Sequence, residues 1–443
     1  MIEIDKLVSE DGAYVSREIF GDADIHKLEM EQVFGRSWLF LAHETQLPNS
    51  QDYLTTFMGE DPVIVIRQED GTLKAFLNAC THRGPLLCAS EEGNATSFTC
   101  PYHGWVFGSS GDLLNVPHEG NSGWHNELKK GEHGLKTIRV ESYKGLYFGN
   151  FDEQAPSLDA YLGDYKWYAD AIFSPLPTGV EFLGGPMRQR LQCNWKVASE
   201  NIFADTYHVF AAHGQAARIC MEGKEGGIGI EENDDKEGDA LGVAVTVNGH
   251  SMGLHFDGMG AYVLNKNMAE WMAYLGSQRE NYIKHLGPRR GMMPGSSING
   301  GIFPNFMFVP GFTFRQIHPL GPNECEIWMW TVVEKDMPLE LKHEQVKANA
   351  RMLGTSGLFE TDDCANMERI DNTVSAYQGS KLISNYSMGL GREQKRDDLP
   401  GLTDQRMSDT GFRGYYRRWA LFMKADKSSD IPLDAPRSIE GAE

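Results

Sequence analysis

Two short clips of cysteine and histidine constrain this chain more than any other feature. They read Cys80-Thr-His82 followed by Arg83-Gly84, and Cys100-Pro-Tyr-His103 followed by Gly104-Trp105, with 17 residues between His82 and Cys100. Two thiolates and two imidazoles on separate loops require a scaffold that brings the loop tips together. Two centres suit the set. A [2Fe–2S] cluster takes the cysteines on one iron and the histidines on the other, while tetrahedral Zn²⁺ also accepts Cys2His2 from two clips. In the cluster, neutral imidazoles replace two anionic thiolates, so an electron is accepted at a higher potential than by a four-cysteine cluster. That reading makes the chain a handler of single electrons.

A second constellation lies at Asn201-Ile-Phe-Ala-Asp205-Thr-Tyr-His208-Val-Phe-Ala-Ala-His213. Asn201, Asp205 and His208 fall at i, i+4 and i+7, one face of a helix. His208 and His213 are five apart, roughly 140° around a regular helix, so they reach one ion only if the helix ends or widens between them. The distortion is expected near Phe210 to Ala212. Alone the run is a weak signal, because a helical histidine is more often packed or at the surface. Phe359-Glu-Thr-Asp362-Asp363 offers carboxylates farther on, for which an ordinary role is that of solvated acids in the first turn of a helix.

At 443 residues the chain can bury a large core and should form two domains, or one with a substantial insertion. From Trp38 to Asp159 short β-rich runs alternate with turns: Val63 to Ile66, the Glu69-Asp70-Gly71 turn, Leu73 to Leu77, Trp105 to Phe107, Ser109 to Asp112, and Gly145 to Phe148. This reads as a small all-β domain, 38–159, that carries the clips. Residues 1–37 and 160–443 then form a larger α+β domain of mixed antiparallel sheet and helices. In it, helices are expected over Ser199 to Ala212 and Glu340 to Leu353, and strands over Gly242 to Asn248, near Ile302 to Phe314, and over Glu324 to Glu334. A Gly354 to Gly357 break precedes a helix bearing Asp363, and the polar tail after Lys427 is expected to be loose.

The net charge of −21, from 41 basic and 62 acidic residues, argues against nucleic acid or an anionic membrane as partner. Small basic clusters stand at Lys129-Lys130, Arg289-Arg290, Lys395-Arg396 and Arg417-Arg418, where solvated surface is the ordinary reading and an acidic electron donor the alternative. Seven cysteines, two claimed by the clips, form no disulfide framework, so Cys88, Cys193, Cys220, Cys325 and Cys364 are expected to be buried reduced thiols in a cytoplasmic protein. No basic n-region with an apolar h-region opens the sequence, and no stretch approaches 18 uninterrupted apolar residues.

The residues around the clips resemble Rieske loops. Pro85 and Tyr102 stand where cytochrome-complex Rieske proteins carry an extra cysteine pair, and Trp105 stands where a hydroxyl often donates to sulfur. Losing such donors places the expected potential near the low end of the Rieske range, about −150 mV. Taken together, the clips, the Asn-x3-Asp-x2-His-x4-His run and the Asp362-Asp363 pair resemble the large, catalytic subunit of bacterial aromatic-ring-hydroxylating dioxygenases of the naphthalene and biphenyl type, over nearly the whole chain.

That resemblance implies a Rieske cluster on Cys80, His82, Cys100 and His103. It also implies a mononuclear Fe(II) on His208, His213 and Asp363, with Asp362 the rival for the third place; such a facial triad leaves positions open for O₂. It implies an α3β3 assembly with a small subunit, and electrons supplied by a ferredoxin or an NAD(P)H reductase. Asp205 would bridge His208 to His103 of a neighbouring subunit, fixing both tautomers. Matched pocket positions are Asn201, Ile202, Val209, Asn299, Leu353 and Phe359. None of them is a lysine or arginine, which favours a neutral aromatic substrate. Ser297 departs from the histidine of several relatives. The leading expectation is a cis-dihydrodiol formed from an arene, O₂ and two electrons. A Rieske monooxygenase or demethylase, and more remotely a pure electron carrier, are the alternatives.

Overall fold

A computed structural model describes residues 2–214, 216, 242–256, 268–296, 298–311 and 313–436; Ser297 and Cys220 lie outside the described residues. The chain divides into two compact units, Phe34–Leu158 and the remainder, Met1–Val33 with Asp159–Glu443.

The smaller unit is all-β apart from two short 3₁₀ turns, Glu44–Gln46 and Lys130–Glu132. Its seven-stranded antiparallel sheet runs, in spatial order, Leu39–His43, Leu146–Asn150, Thr137–Tyr143, Leu73–Leu77, Asp61–Arg67, Asp52–Met58 and Glu92–Asn94. The run Val63 to Ile66 is buried on both faces, which is why it is apolar without alternation. The turn at Gly71 closes through Thr72, whose N–H and hydroxyl both donate to Asp70 Oδ1, at 2.9 and 2.7 Å. A second sheet, Ser97–Thr99, Val106–Gly108 and Leu113–Asn115, carries the second clip between its first two strands.

The larger unit is built on an eight-stranded antiparallel sheet. In spatial order its strands are Val180–Leu191, Glu324–Glu334, Thr313–Gly321, Phe306–Val309, Ile298–Ile302, His250–Leu254, Val243–Val247 and Leu402–Gln405. Glu324–Glu334 forms over the range expected. The single strand expected near Ile302 to Phe314 is instead parts of three, broken at Pro304 and at Pro310-Gly311, because proline cannot donate to a ladder. Two long helices escape the sequence reading. One is Met268–Leu286. The other is Thr410–Lys424, whose aromatic, glycine-bearing sequence does not suggest a helix. Packing explains the glycines. A Cβ at Gly414 would stand 2.0 Å from Thr246 Oγ1, and one at Gly411 2.6 Å from Ala204 Cβ. The tail is also less free than expected, since Asn248 N–H donates to Asp434 Oδ2 at 2.8 Å and Asp434 N–H returns a bond to Asn248 Oδ1 at 2.6 Å.

The helix Trp195–Ala204 lies against the middle of this sheet, capped by Asn194, whose side chain accepts from Lys196 N–H. Its first turn is anchored by Glu29, which takes Lys196 Nζ at 2.6 Å and the indole N–H groups of Trp195 and Trp419, each at 2.8 Å. Glu29 and Lys196 are both fully buried. Glu29→Ala would leave the ammonium unpaired in the interior, so it is expected to cost roughly 3–5 kcal/mol and lower the thermal midpoint. An unchanged midpoint would show that Lys196 can shed its charge at no cost.

Candidate metal centres

The two clips adopt the same backbone. Cys80 N–H donates to Pro85 O at 3.0 Å and Gly84 N–H to Cys80 O at 2.8 Å; Cys100 N–H donates to Trp105 O at 2.7 Å and Gly104 N–H to Cys100 O at 3.0 Å. Gly84 and Gly104 close these loops at φ +79° and +71°, a conformation other residues adopt only with strain. The thiols of Cys80 and Cys100 meet. Burial pushes the Cys80 thiol up, whereas at Cys100 burial is outweighed by the backbone N–H groups of His103 and Tyr102 and the thiol is held below its ordinary value. The backbone N–H groups of His82 and Arg83 likewise face the Cys80 sulfur.

The imidazoles of His82 and His103 lie side by side with centroids 4.7 Å apart, and His82 stacks on Trp105 at 4.7 Å with 6° between the planes. Burial, together with His103 and Arg83, lowers the pKa of His82 and favours the neutral ligand form. Nδ1 of both histidines is buried without a hydrogen-bond partner. Two orphaned imidazole nitrogens beside two touching thiols fit a [2Fe–2S] cluster, which would satisfy all four. Trp105 fills the underside with Phe107, Leu87 and Phe98, leaving Leu86 and Tyr102 exposed at the tips.

In the larger unit the expected single helix over Ser199 to Ala212 is two. Trp195–Ala204 stops at Asp205, which is extended at φ −84°, ψ 100°, and a five-residue helix, His208–Ala212, follows. Of the two distortions expected near Phe210 to Ala212 the helix end is the one found: the second helix stops at Ala212 without widening, since His213 N–H still donates to Val209 O at 3.1 Å. A further break falls earlier, so Asp205 does not share a helical face with His208. It stands instead in the link before the second helix, accepting His208 N–H on Oδ1 at 3.0 Å. His213 caps that short helix at its C-terminal end, and its ring centroid lies 5.1 Å from that of His208.

Asp363, in the first turn of the helix Glu360–Val374, meets both histidines. Its Oδ1 lies 3.3 Å from His208 Nε2 and 3.2 Å from His213 Nε2, and one ligand atom from each of the three residues falls within 4.8 Å of the others. Asp362 does not converge on that point. It sits 3.6 Å from Nδ1 of His213, on the outer edge of the ring, with its side chain 42% exposed, whereas Asp363 is 2% exposed. Asp205 Oδ1 lies 3.4 Å from His208 Nδ1. Among the described residues this His/His/Asp trio is the one cluster of three such groups arranged for a metal ion. Its donor set, two neutral nitrogens and one buried carboxylate, fits Fe(II) with open positions.

Burial opposes the charge on His208, but Asp205 and Asp363 outweigh it and hold the metal-free imidazole up to about 10; burial likewise opposes the charge on Asp363, yet the two histidines hold its carboxyl well below the usual range. A protonated imidazole cannot ligate, so below about pH 10 loading the ion must expel a proton. Metal affinity is therefore expected to climb about tenfold per unit between about pH 6 and 9, measured by titrating metal-free protein. A flat profile would mean that His208 is already neutral.

The candidate pocket positions divide. Leu353 and Phe359 pack with Val309 and Met352 in one apolar cluster, and Phe359 lies 4.7 Å from the His213 ring. Asn201 Nδ2 reaches Asp363 Oδ1 at 3.4 Å, leaving its buried carbonyl oxygen unpaired. Ile202 is buried and Val209 partly so. Asn299 is structural as placed: Oδ1 takes Thr206 Oγ1 and Arg406 Nη2, each at 3.2 Å, while Nδ2 donates to Ile202 O at 3.2 Å. The sequence reading missed Val309, Met352 and Arg406, which no local motif marks. It also missed Glu200, whose carboxylate burial pushes up to about 7 and which accepts hydroxyls from Tyr386 and Tyr416. Most of the basic clusters are spent internally, Arg289 and Arg396 on Asp398, Arg290 on Asp170 and Lys130 on Glu119.

Comparison with known proteins agrees with these two centres. Residues 37–143 match the Rieske [2Fe-2S] domain, and residues 158–425 match the family described as ring hydroxylating alpha subunit (catalytic domain). The chain is 38% identical to the large oxygenase component of the naphthalene 1,2-dioxygenase system of Pseudomonas aeruginosa, over 96% of this chain and 95% of that protein. It is 35% identical to biphenyl 2,3-dioxygenase subunit alpha of Rhodococcus jostii, over 99% and 95%. A solved structure of naphthalene 1,2-dioxygenase with indole bound in the active site superposes with a TM-score of 0.89 at 34% identity, covering 96% of this chain and 95% of that one.

Proposed function

Because the chain belongs to the family of ring-hydroxylating dioxygenase large subunits, with a Rieske [2Fe–2S] cluster and a mononuclear iron, we propose that it adds both atoms of O₂ to a neutral aromatic ring, forming a cis-dihydrodiol. The observation that carries the substrate class is the apolar wall of Val309, Met352, Leu353 and Phe359 lying against His213. A flat hydrocarbon is bound there by desolvation, and no charged side chain lies in that cluster to reward a carboxylate.

Bound in their sites, the cluster supplies electrons singly and the Fe(II) supplies open positions at which O₂ is reduced. The chain's own residues do the rest. His208, His213 and Asp363 would hold the ion, and Asn201 steadies Asp363. Phe359 and Leu353 exclude water and orient the ring. Asp205 faces the outer nitrogen of His208 and so selects the tautomer that presents Nε2 inward.

In the assembly we propose, three such chains join three small subunits in the cytoplasm. A ferredoxin or an NAD(P)H reductase feeds each cluster, and Asp205 accepts from His208 and from His103 of the partner subunit. The free thiols Cys88, Cys193, Cys325 and Cys364 suit that reducing compartment, and no described helix is long and apolar enough to cross a membrane. Asp205→Asn keeps an acceptor for His208 N–H but loses the charge. Both metals should load and an external donor should still reduce the cluster, while product formation falls by roughly 10- to 100-fold. Loss of iron in this variant would make Asp205 a ligand or a folding residue; normal turnover would remove it from the electron route.

Oxygen uptake across neutral and carboxylated arenes, with ¹⁸O₂ product analysis, tests the function. Two labelled atoms in a product from a neutral arene are expected. A single labelled atom would make it a monooxygenase, and uptake confined to carboxylated rings would overturn the substrate class.

A further inference from the structure

Asp363 is bracketed by side chains tied to the sheet. Glu360, three residues before it, opens the helix and is fully buried. Arg315, on the strand Thr313–Gly321, grips it with both arms of the guanidinium, Nη1 to Oε1 at 3.1 Å and Nη2 to Oε2 at 2.5 Å, and is itself 1% exposed. Cys364, the residue after Asp363, donates its thiol to Glu360 Oε1 at 3.7 Å and accepts from Gln189 Nε2 at 3.2 Å, on the strand Val180–Leu191. The segment that presents Asp363 is thus moored to two strands by buried polar contacts.

A buried ion pair is a poor device for stability alone, because desolvating two charges offsets most of their attraction and an apolar pair of similar volume does as well. What a fork-to-fork pair supplies is a fixed distance and a fixed plane. Arg315 is well placed to supply them, since its strand is paired on both sides, Arg315 standing opposite Met307 and Met329. Metal sites tolerate displacements of only about 0.5 Å. Glu360 lies within one turn of Asp363, so a shift at Glu360 is passed to the carboxylate almost undiminished.

We propose that Arg315 and Glu360 are positioning residues for the mononuclear metal: the buried pair sets where Asp363 Oδ1 stands relative to Nε2 of His208 and His213. This rests on the reading of Asp363 as a ligand. The pair lies outside the His208, His213 and Asp363 trio and acts through the first turn of the helix.

The test uses the full chain with whatever small subunit it assembles with, freed of mononuclear iron and titrated with Co(II). Affinity is read by equilibrium dialysis and geometry by Co(II) EPR, with the Rieske cluster oxidised and silent. Glu360→Gln and Arg315→Lys are expected to weaken Co(II) binding roughly 10- to 100-fold and to shift its EPR signal, as loss of an outer-shell support does. Either single variant leaves imperfectly paired groups inside and could simply misfold, so the decisive variant is R315M/E360M, which removes both charges at similar volume and is expected to fold. It should keep the cluster's spectrum and still bind Co(II) weakly with an altered signal. Co(II) affinity within about twofold of the unmodified chain, with an unchanged signal, would reduce the pair to packing and overturn the proposal. Asp363→Ala serves as the reference: if it bound Co(II) normally, the ligand reading itself would fail, an outcome distinct from failure of the tether.

Discussion

Replacing Asp363 with alanine is expected to remove the mononuclear iron and the product together. The two imidazoles remain, but without a carboxylate they bind Fe(II) weakly and define no face. The loss is electrostatic as well as geometric. Asp363 is the buried anion on which both Nε2 atoms converge, at 3.2 and 3.3 Å, and its removal leaves a divalent cation with only neutral donors. Iron per chain should fall from about three to about two, the cluster's share, with turnover reduced to background. Asp362→Ala should retain iron, since that side chain faces the outer edge of His213 and is half-buried there, away from the point where both Nε2 atoms converge. Iron analysis of the two variants decides the matter, and the reverse result would transfer the ligand role to Asp362.

The second large effect is expected at the clips. His82→Ala or Cys100→Ser should abolish the cluster's visible absorbance and EPR signal, and turnover with them, while mononuclear iron stays bound. A serine hydroxyl at position 100 is a far poorer donor to iron than a thiolate, and alanine at 82 offers none. The surrounding fold should survive, because the loops close through backbone bonds such as Cys100 N–H to Trp105 O that do not depend on the metal. Persistence of the cluster spectrum in either variant would refute the ligand assignment. Loss of both metals at once would show that the two units do not fold independently.

Local chemistry explains what could be read in advance. The clips are legible because each loop places a cysteine and a histidine at fixed short spacing, half of one ligand set, and Gly84 and Gly104 mark the left-handed corners such loops need. The strands Leu73–Leu77 and Glu324–Glu334 are legible from apolar runs bounded by turns. The helix Thr410–Lys424 was not, because glycines and aromatics are weak helix formers and nothing marks them as a helix until the sheet beneath is known; only then does Gly414 become a point of close approach.

The linear order of residues was enough to determine which groups could bind metal, that two centres were needed, and that the chain resembles a ring-hydroxylating oxygenase, since each of these rests on side-chain chemistry and short spacing. Tertiary structure alone decided where the helix breaks before His208, which of Asp362 and Asp363 converges with Nε2 of both histidines, and that Asn299 is spent on Arg406 and Ile202. The last two outcomes depend on partners more than 90 residues away, as with Asn201 and Asp363, 162 apart. Adjacent aspartates on one helix differ by only about 100° of rotation. Sequence periodicity cannot say which of the two points inward; the sheet that packs against the helix does.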